Sequence, residues 1–305
     1  TVVPGAEYTW AMTDQQSDPA WAWCGGGVVT FADARVPIED RGLQFGESLY
    51  EVIAVTRGEP FRLADHVARM GSAAREIGIA PGVPALPKWR EIVAELHRRE
   101  PHPSAILYAQ VTGGAAPRSH VPSKVPDPFF FAYLRAYSFP KAAETVRGIA
   151  AVTFPDSRWQ RRDLKTAMLL PAVIARRDAL ARGAQEAIFV GQDGLVNEGA
   201  VSTLFAVHGR TVATPPANQR ILDGVSTRVV EEICREAGVT FSVRPLPVSD
   251  LRKADELFIA STTVLLMPVV RLDGDPVGSG APGRLTLDLA GRFQRVFWGR
   301  EGPPR

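Results

Sequence analysis

Apolar residues recur along this chain with two periods, and each period predicts a different element. Alternating or short continuous apolar runs predict strands over 27–31, 48–55, 105–111 and 129–137. The second half carries more of them, over 148–154, 187–190, 204–207, 212–214, 257–260 and 268–272. Recurrence every three or four residues predicts helices instead. In 63–77 the residues Val67, Met70, Ala74 and Ile77 form one stripe, and in 88–98 Trp89, Ile92, Val93 and Leu96 form another. Further helices are expected over 167–182, where Gly183 supplies the left-handed stop, over 227–237 and over 284–297. Asp193-Gly194, Gly209 and Asp273-Gly274 supply hairpin turns between the later strands.

The texture changes after a Ser/Pro/Lys connector. We therefore expect an N-terminal extension (1–20), a small domain (21–137), a connector (138–142) and a larger domain (143–305). The length of 305 residues suits two domains of roughly 150 residues each. Strands that outnumber helices, with hairpin chemistry between them, point to an α+β architecture with mostly antiparallel strands.

Composition narrows the function more than the fold. A formal charge of +2 gives no reason to expect nucleic acid. No apolar run is long enough for a membrane span, and the first 20 residues lack a secretory pattern, so a cytoplasmic location is expected. Cys24 and Cys234 are far apart and support neither a disulfide framework nor a zinc knuckle. No P-loop, GxGxxG, HExxH or GxSxG occurs, and the five histidines never fall at metal-ligand spacing, so no metal is expected. Only five of the 35 basic residues are lysines, which makes each lysine in an apolar context worth inspecting.

Lys165 is such a lysine, set just before the apolar helix expected over 167–182. Burial favours a neutral amine, the form that attacks a carbonyl carbon; a surface lysine at a helix start is the ordinary alternative. Glu198 follows the Asp193-Gly194 turn and could face a protonated ring nitrogen, or simply be an exposed turn residue. Gly224-Val225-Ser226-Thr227 opens a helix, and Ser261-Thr262-Thr263 follows a strand; both could hold a phosphate or merely cap. Arg69 lies three residues from His66 and could pair with an anion. Arg118 and His120 alternate in a loop, so they point the same way and could clamp a carboxylate.

Taken in order, these pieces resemble the fold-type IV pyridoxal-phosphate enzymes, the class IV aminotransferases. The landmarks run from Glu39-Asp40-Arg41-Gly42-Leu43-Gln44-Phe45-Gly46 with Tyr50-Glu51, through His66-Val67-Ala68-Arg69 and Lys165, to Asn197-Glu198-Gly199, Gly224-Val225-Ser226 and Ser261-Thr262-Thr263. Arg118-Ser119-His120 is similar to the substrate-carboxylate loop of the branch that acts on D-amino acids.

The resemblance implies a two-domain fold, pyridoxal 5'-phosphate as cofactor, and a homodimer whose carboxylate loop serves the partner subunit. It implies that Lys165 forms the Schiff base and that Glu198 faces the pyridine nitrogen. Leu222 would pack on the ring, while Arg69, Val225, Ser226, Ser261 and Thr262 would hold the phosphate. Tyr50, Arg118 and His120 would bind the substrate. The implied reaction is ping-pong amino transfer from D-amino acids such as D-alanine or D-glutamate to 2-oxoglutarate or pyruvate. An (R)-selective amine transaminase and an aminodeoxychorismate lyase share the scaffold and are the alternatives. The chain departs from the family pattern at Glu47, where aspartate is usual, and at Ala200, Val201 and Thr203.

Overall fold

The computed structural model describes residues 18–299 together with 302 and 303, so most of the extension expected over 1–20 lies outside the described residues. The first half builds one antiparallel sheet from β1 (Trp21–Cys24), β2 (Gly27–Thr30), β3 (Ser48–Thr56), β4 (Glu59–Pro60), β5 (Ser104–Thr112) and β6 (Phe129–Ala136), in the order β2-β1-β6-β5-β3-β4. The helices of this half are α1 (Arg41–Phe45), α2 (Leu63–Glu76) and α3 (Leu86–Arg99).

Strand parity decides what each face does. Leu49 and Ile53 of β3, Leu107 and Val111 of β5, and Phe130 and Leu134 of β6 are buried with Met70 and Ala74 of α2 and Trp89 and Ile92 of α3. Trp89 meets Phe130 edge to face at 5.2 Å and donates its indole N–H to the Pro84 carbonyl at 2.9 Å. The opposite parity, Tyr50 and Val52, Ile106 and Tyr108, Tyr133 and Arg135, lines a cavity.

The second half contributes α4 (Ala142–Thr145), β7 (Ile149–Pro155), α5 (Leu170–Ala181), β8 (Glu186–Val190), β9 (Val196–Gly199), β10 (Thr203–His208) and β11 (Thr211–Thr214). It continues with α6 (Val225–Glu236), β12 (Thr240–Val243), α7 (Val248–Leu251), β13 (Glu256–Ser261), β14 (Leu265–Leu272), β15 (Asp275–Pro276) and α8 (Arg284–Trp298). Its strands run β12-β11-β10-β13-β14-β7-β8-β9, with β15 added to β14. The sheet is mixed: β7 pairs in parallel with both β14 and β8, and β11 with β12. Helix α5 is the crossover that the β7–β8 pair requires. On one face, Phe205 and Phe258 stack at 4.8 Å beneath Val229 and Ile233 of α6 and Phe293 of α8. That same cluster takes in Ala54 and Ile106 of the first sheet, so one core joins the two sheets.

The helix expected over 167–182 begins three residues later, at Leu170. Residues 165–166 are held instead against β3, where Leu49 bridges Thr166 and the Tyr50 N–H donates to the Lys165 carbonyl at 2.9 Å. Backbone already bonded to a strand cannot enter a helix, and Pro171 then suits the first turn. Helix α6 begins two residues earlier than expected, because Gly224 takes the extended N-cap conformation.

Candidate active site

The strand–helix arrangement leaves a cavity of about 610 Å³ between the exposed face of the first sheet and the loops of the second. Lys165, Glu198 and Tyr50 line it, as do Arg69 and Leu222. So do Val225 and Ser226 at the start of α6, and Ser261 and Thr262 after β13. The residues singled out for cofactor chemistry are thus brought together, with Tyr50, from six separate stretches of chain.

Lys165 projects its Nζ to 3.2 Å from the Tyr50 hydroxyl and lies 4.3 Å from the centre of that ring. The contact follows from the backbone pairing just described, since it fixes Lys165 beside β3. Tyr50, Tyr108 and Tyr133 stack in sequence across three strands, with ring centres 5.7 and 5.4 Å apart. Burial raises the Tyr108 and Tyr133 phenols, keeping both neutral, and Tyr108 donates to the Gln110 side-chain carbonyl at 2.6 Å.

Glu198 is buried near the end of β9. Burial pushes its carboxyl up, against the pull of Arg158, the Leu222 N–H and Lys165. Arg158 donates to one carboxylate oxygen at 2.7 Å and the Leu222 N–H to the other at 3.3 Å. Arg158 also pairs with Asp156 at 2.9 Å, and Asp156 accepts from Asn197 at 2.8 Å. The ring of Phe189 lies 4.1 Å below the guanidinium. Glu198 is therefore oriented by a polar network behind the cavity wall.

Arg69 is set by Glu51, which occupies the core-facing parity of β3 between Leu49 and Ile53. The carboxylate takes Arg69 at 2.8 and 2.7 Å and His66 Nδ1 at 2.7 Å. Burial alone would raise this carboxyl; Arg69 and His66 outweigh it and hold it at about 2. The remaining terminal nitrogen of Arg69 donates to the Asp223 carbonyl at 2.8 Å, ahead of α6. No side chain caps α6, whose first N–H groups belong to Val225 and Ser226.

Arg118 and His120 are not brought to this cavity. They sit on the 113–128 loop around Phe45, with the Arg118 guanidinium 4.8 Å and the His120 ring 5.4 Å from the phenyl centre. The residues that sequence reasoning did not assign are Arg158, Asp156 and Glu51. A charge at a core parity of β3 was a readable signal for Glu51. Arg158 stands among several arginines, and nothing local marks it as the one that turns inward. Among the described residues no cluster of His, Cys, Asp or Glu could hold a metal ion, and no helix is long and apolar enough to cross a membrane.

Comparison with known proteins agrees with this geometry. Residues 48–272 match the family model described as amino-transferase class IV. The chain is 36% identical over 275 residues to a D-alanine aminotransferase of Bacillus licheniformis, covering 88% of this chain and 94% of the relative. It is 34% identical over 273 residues to the D-alanine aminotransferase of a Staphylococcus epidermidis strain, covering 89% and 96%. Among solved structures, a T.th. branched-chain amino acid aminotransferase with pyridoxamine 5'-phosphate superposes with a TM-score of 0.84 at 24% identity, over 92% of this chain and 94% of that one. The Escherichia coli branched-chain enzyme does so with a TM-score of 0.83, also at 24% identity, over 93% and 95%. These structural likenesses establish the fold. The family match across the cavity-forming residues, with relatives more than 30% identical over most of the chain, identifies the chain as a member of the class IV aminotransferases, enzymes that work with pyridoxal 5'-phosphate.

Proposed function

We propose that the protein moves the amino group of a D-amino acid, such as D-alanine or D-glutamate, to a 2-oxo acid, 2-oxoglutarate or pyruvate, in a ping-pong reaction. The observation that carries this reading is the convergence of Lys165 and Glu198 on one cavity in a chain whose relatives are named D-alanine aminotransferases.

The chemistry of the lining fits the cofactor. A helix start with no side-chain cap, beside Arg69 and the hydroxyls of Ser261 and Thr262, suits a phosphate. Leu222 offers an apolar surface to a ring, and Glu198 a carboxylate to its nitrogen. When bound, the cofactor draws electrons away from the substrate's α-carbon.

The protein's own groups do the rest. Lys165 Nζ is the attachment point; once released it takes the α-proton of the donor, and it returns a proton to the α-carbon of the acceptor when that is aminated. The Tyr50 hydroxyl, 3.2 Å away, holds the amine in line. Glu198 favours the ionised form of a ring nitrogen beside it, and Arg158 keeps the carboxylate from turning away.

The substrate clamp is proposed to come from a second copy of the chain. Arg118 and His120 do not line their own cavity. Met168 and Leu169 at the cavity rim, with Leu170 and Ile174 of α5, expose apolar side chains, as do Ile38 and Val121. Such a surface suits a homodimer interface. The two free cysteines suit a reducing, cytoplasmic setting.

The test is the visible spectrum of the loaded enzyme. D-alanine should convert the cofactor band while L-leucine leaves it unchanged, and sedimentation should give a dimer. A band that responds only to (R)-1-phenylethylamine would replace this reading with an amine transaminase. Lys165→Ala should lower turnover by about 10⁴-fold or more; substantial residual turnover would remove Lys165 from the mechanism.

A further inference from the structure

Arg41 belongs to the first landmark motif and Glu47 directly follows it, and the site described so far uses neither. Arg41 opens α1 and Glu47 lies just beyond its end; the helix is anchored at its start. Asp40, fully buried, accepts the Gly42 and Leu43 N–H groups and the Thr112 hydroxyl at 2.6 Å. From there the Arg41 side chain, itself almost fully buried, turns onto the 113–128 loop. Its Nη1 donates to the Ser119 carbonyl at 2.7 Å, its Nη2 to the His120 carbonyl at 3.1 Å, and its Nε to Glu47 at 2.6 Å.

Phe45, on the same short helix, completes the arrangement. The Arg41 and Arg118 guanidinium carbons lie 4.9 and 4.8 Å from its ring centre. Arg118 also reaches Gln44 at 3.4 Å. Between described residues, the stretch from Pro117 to Pro128 is hydrogen-bonded to the rest of the chain only through Arg41 and Gln44. Glu47 is itself fixed: its carbonyl accepts the Gly113 N–H at 2.9 Å, and its carboxylate packs so closely on Gly113 that a Cβ there would lie 2.7 Å from it.

We infer that Arg41, held by Glu47, is a positioning residue for the substrate-carboxylate clamp. It fixes the backbone of residues 118–120 so that Arg118 and His120 are presented as a pair. The inference rests on the reading of Arg118 and His120 as that clamp. Arginine suits the task because its planar fork can serve two carbonyls and a carboxylate at once. A long loop without such a tie samples many geometries, and a clamp that is displaced binds weakly.

The experiment is steady-state kinetics of the holoenzyme with D-alanine, with propionate as a competing carboxylate that carries no amino group. Arg41→Met should raise the KM for D-alanine and the Ki for propionate together by about tenfold. The kcat should stay within about twofold and the cofactor band should be intact. Arg41→Lys, which keeps the charge without the fork, should fall between wild type and Arg41→Met. Glu47→Gln should shift the same two constants by a smaller factor, and it carries the test if Arg41→Met does not fold. Wild-type KM and Ki in Arg41→Met (or in Glu47→Gln, where that variant carries the test), while Arg118→Met raises both, would overturn the role of Arg41. A loss of kcat and cofactor binding in step with KM would also overturn it. Unchanged constants in Arg118→Met would instead refute the clamp reading, and this inference with it.

Discussion

Glu51 under the first sheet and Glu198 at the edge of the second are both buried beside the cavity, and their surroundings drive them in opposite directions. Burial raises both carboxyls. Glu51 receives three charge-assisted or ring donors between 2.7 and 2.8 Å and is carried down to about 2. Glu198 receives one nitrogen of Arg158, whose others are spent on Asp156, and a backbone N–H at 3.3 Å; its carboxyl stays raised. The decisive quantity is how much positive charge reaches the buried carboxylate, because burial is common to both. Glu51 is a fixed charge that shapes Arg69. Glu198 remains responsive to a further positive group brought next to it.

Glu51 is the group whose loss should have the largest effect. Glu51→Gln leaves Arg69 buried without its counter-charge and should cost about 4 kcal/mol in denaturant unfolding at neutral pH. A cost under about 1 kcal/mol would mean that the pair is not structural. The acid limb gives a second reading of the same group. Since the folded value of about 2 lies below the ordinary 4.5, the stabilisation is complete above about pH 4.5 and is lost as pH falls towards 2. The variant should lack that acid-dependent loss.

Glu198→Gln should do the reverse, lowering kcat/KM by about 100-fold while changing stability by less than about 1 kcal/mol. A raised carboxyl stabilises the fold most below its ordinary value of 4.5, and the contribution fades as pH rises from there through the folded value, so this variant should lack that loss above about pH 4.5. An unfolding cost equal to that of Glu51→Gln would erase the distinction. The smallest effect is expected at Glu186, also buried and also raised by burial, where Ser202 donates at 2.8 Å and Arg176 stands 3.9 Å away. Glu186→Gln keeps the acceptor for Ser202 and should shift unfolding by less than about 1 kcal/mol at neutral pH.

How far the sequence carried depended on how local each signal was. The stripe of Trp89, Ile92, Val93 and Leu96 marked α3 because its burial is periodic within a single helix. β9 escaped, since Val196–Gly199 is wholly buried yet half polar, and its polar side chains are satisfied by Asp156 and Arg158 some 40 residues away. The start of α5 was misplaced for a similar reason, because a bridge to Leu49 governs Thr166. Lys165 and Glu198 were legible as ordered motif members, whereas Arg158 was not, because its direction is set by partners in β9. Arg41 was visible as a motif residue, but its role depends on two carbonyls more than 70 positions later.

The bond from the Tyr50 N–H to the Lys165 carbonyl has a consequence for how the enzyme comes into being. The lysine belongs to the later half of the chain, yet its place is dictated by a strand of the earlier half. Arg62 to Glu232 and Arg228 to Asp65 fasten the same two halves nearby. Neither half alone carries an address for the amine. A chain emerging residue by residue therefore has no enclosed space around this lysine until both halves have docked, so closure of the cavity reports completed assembly.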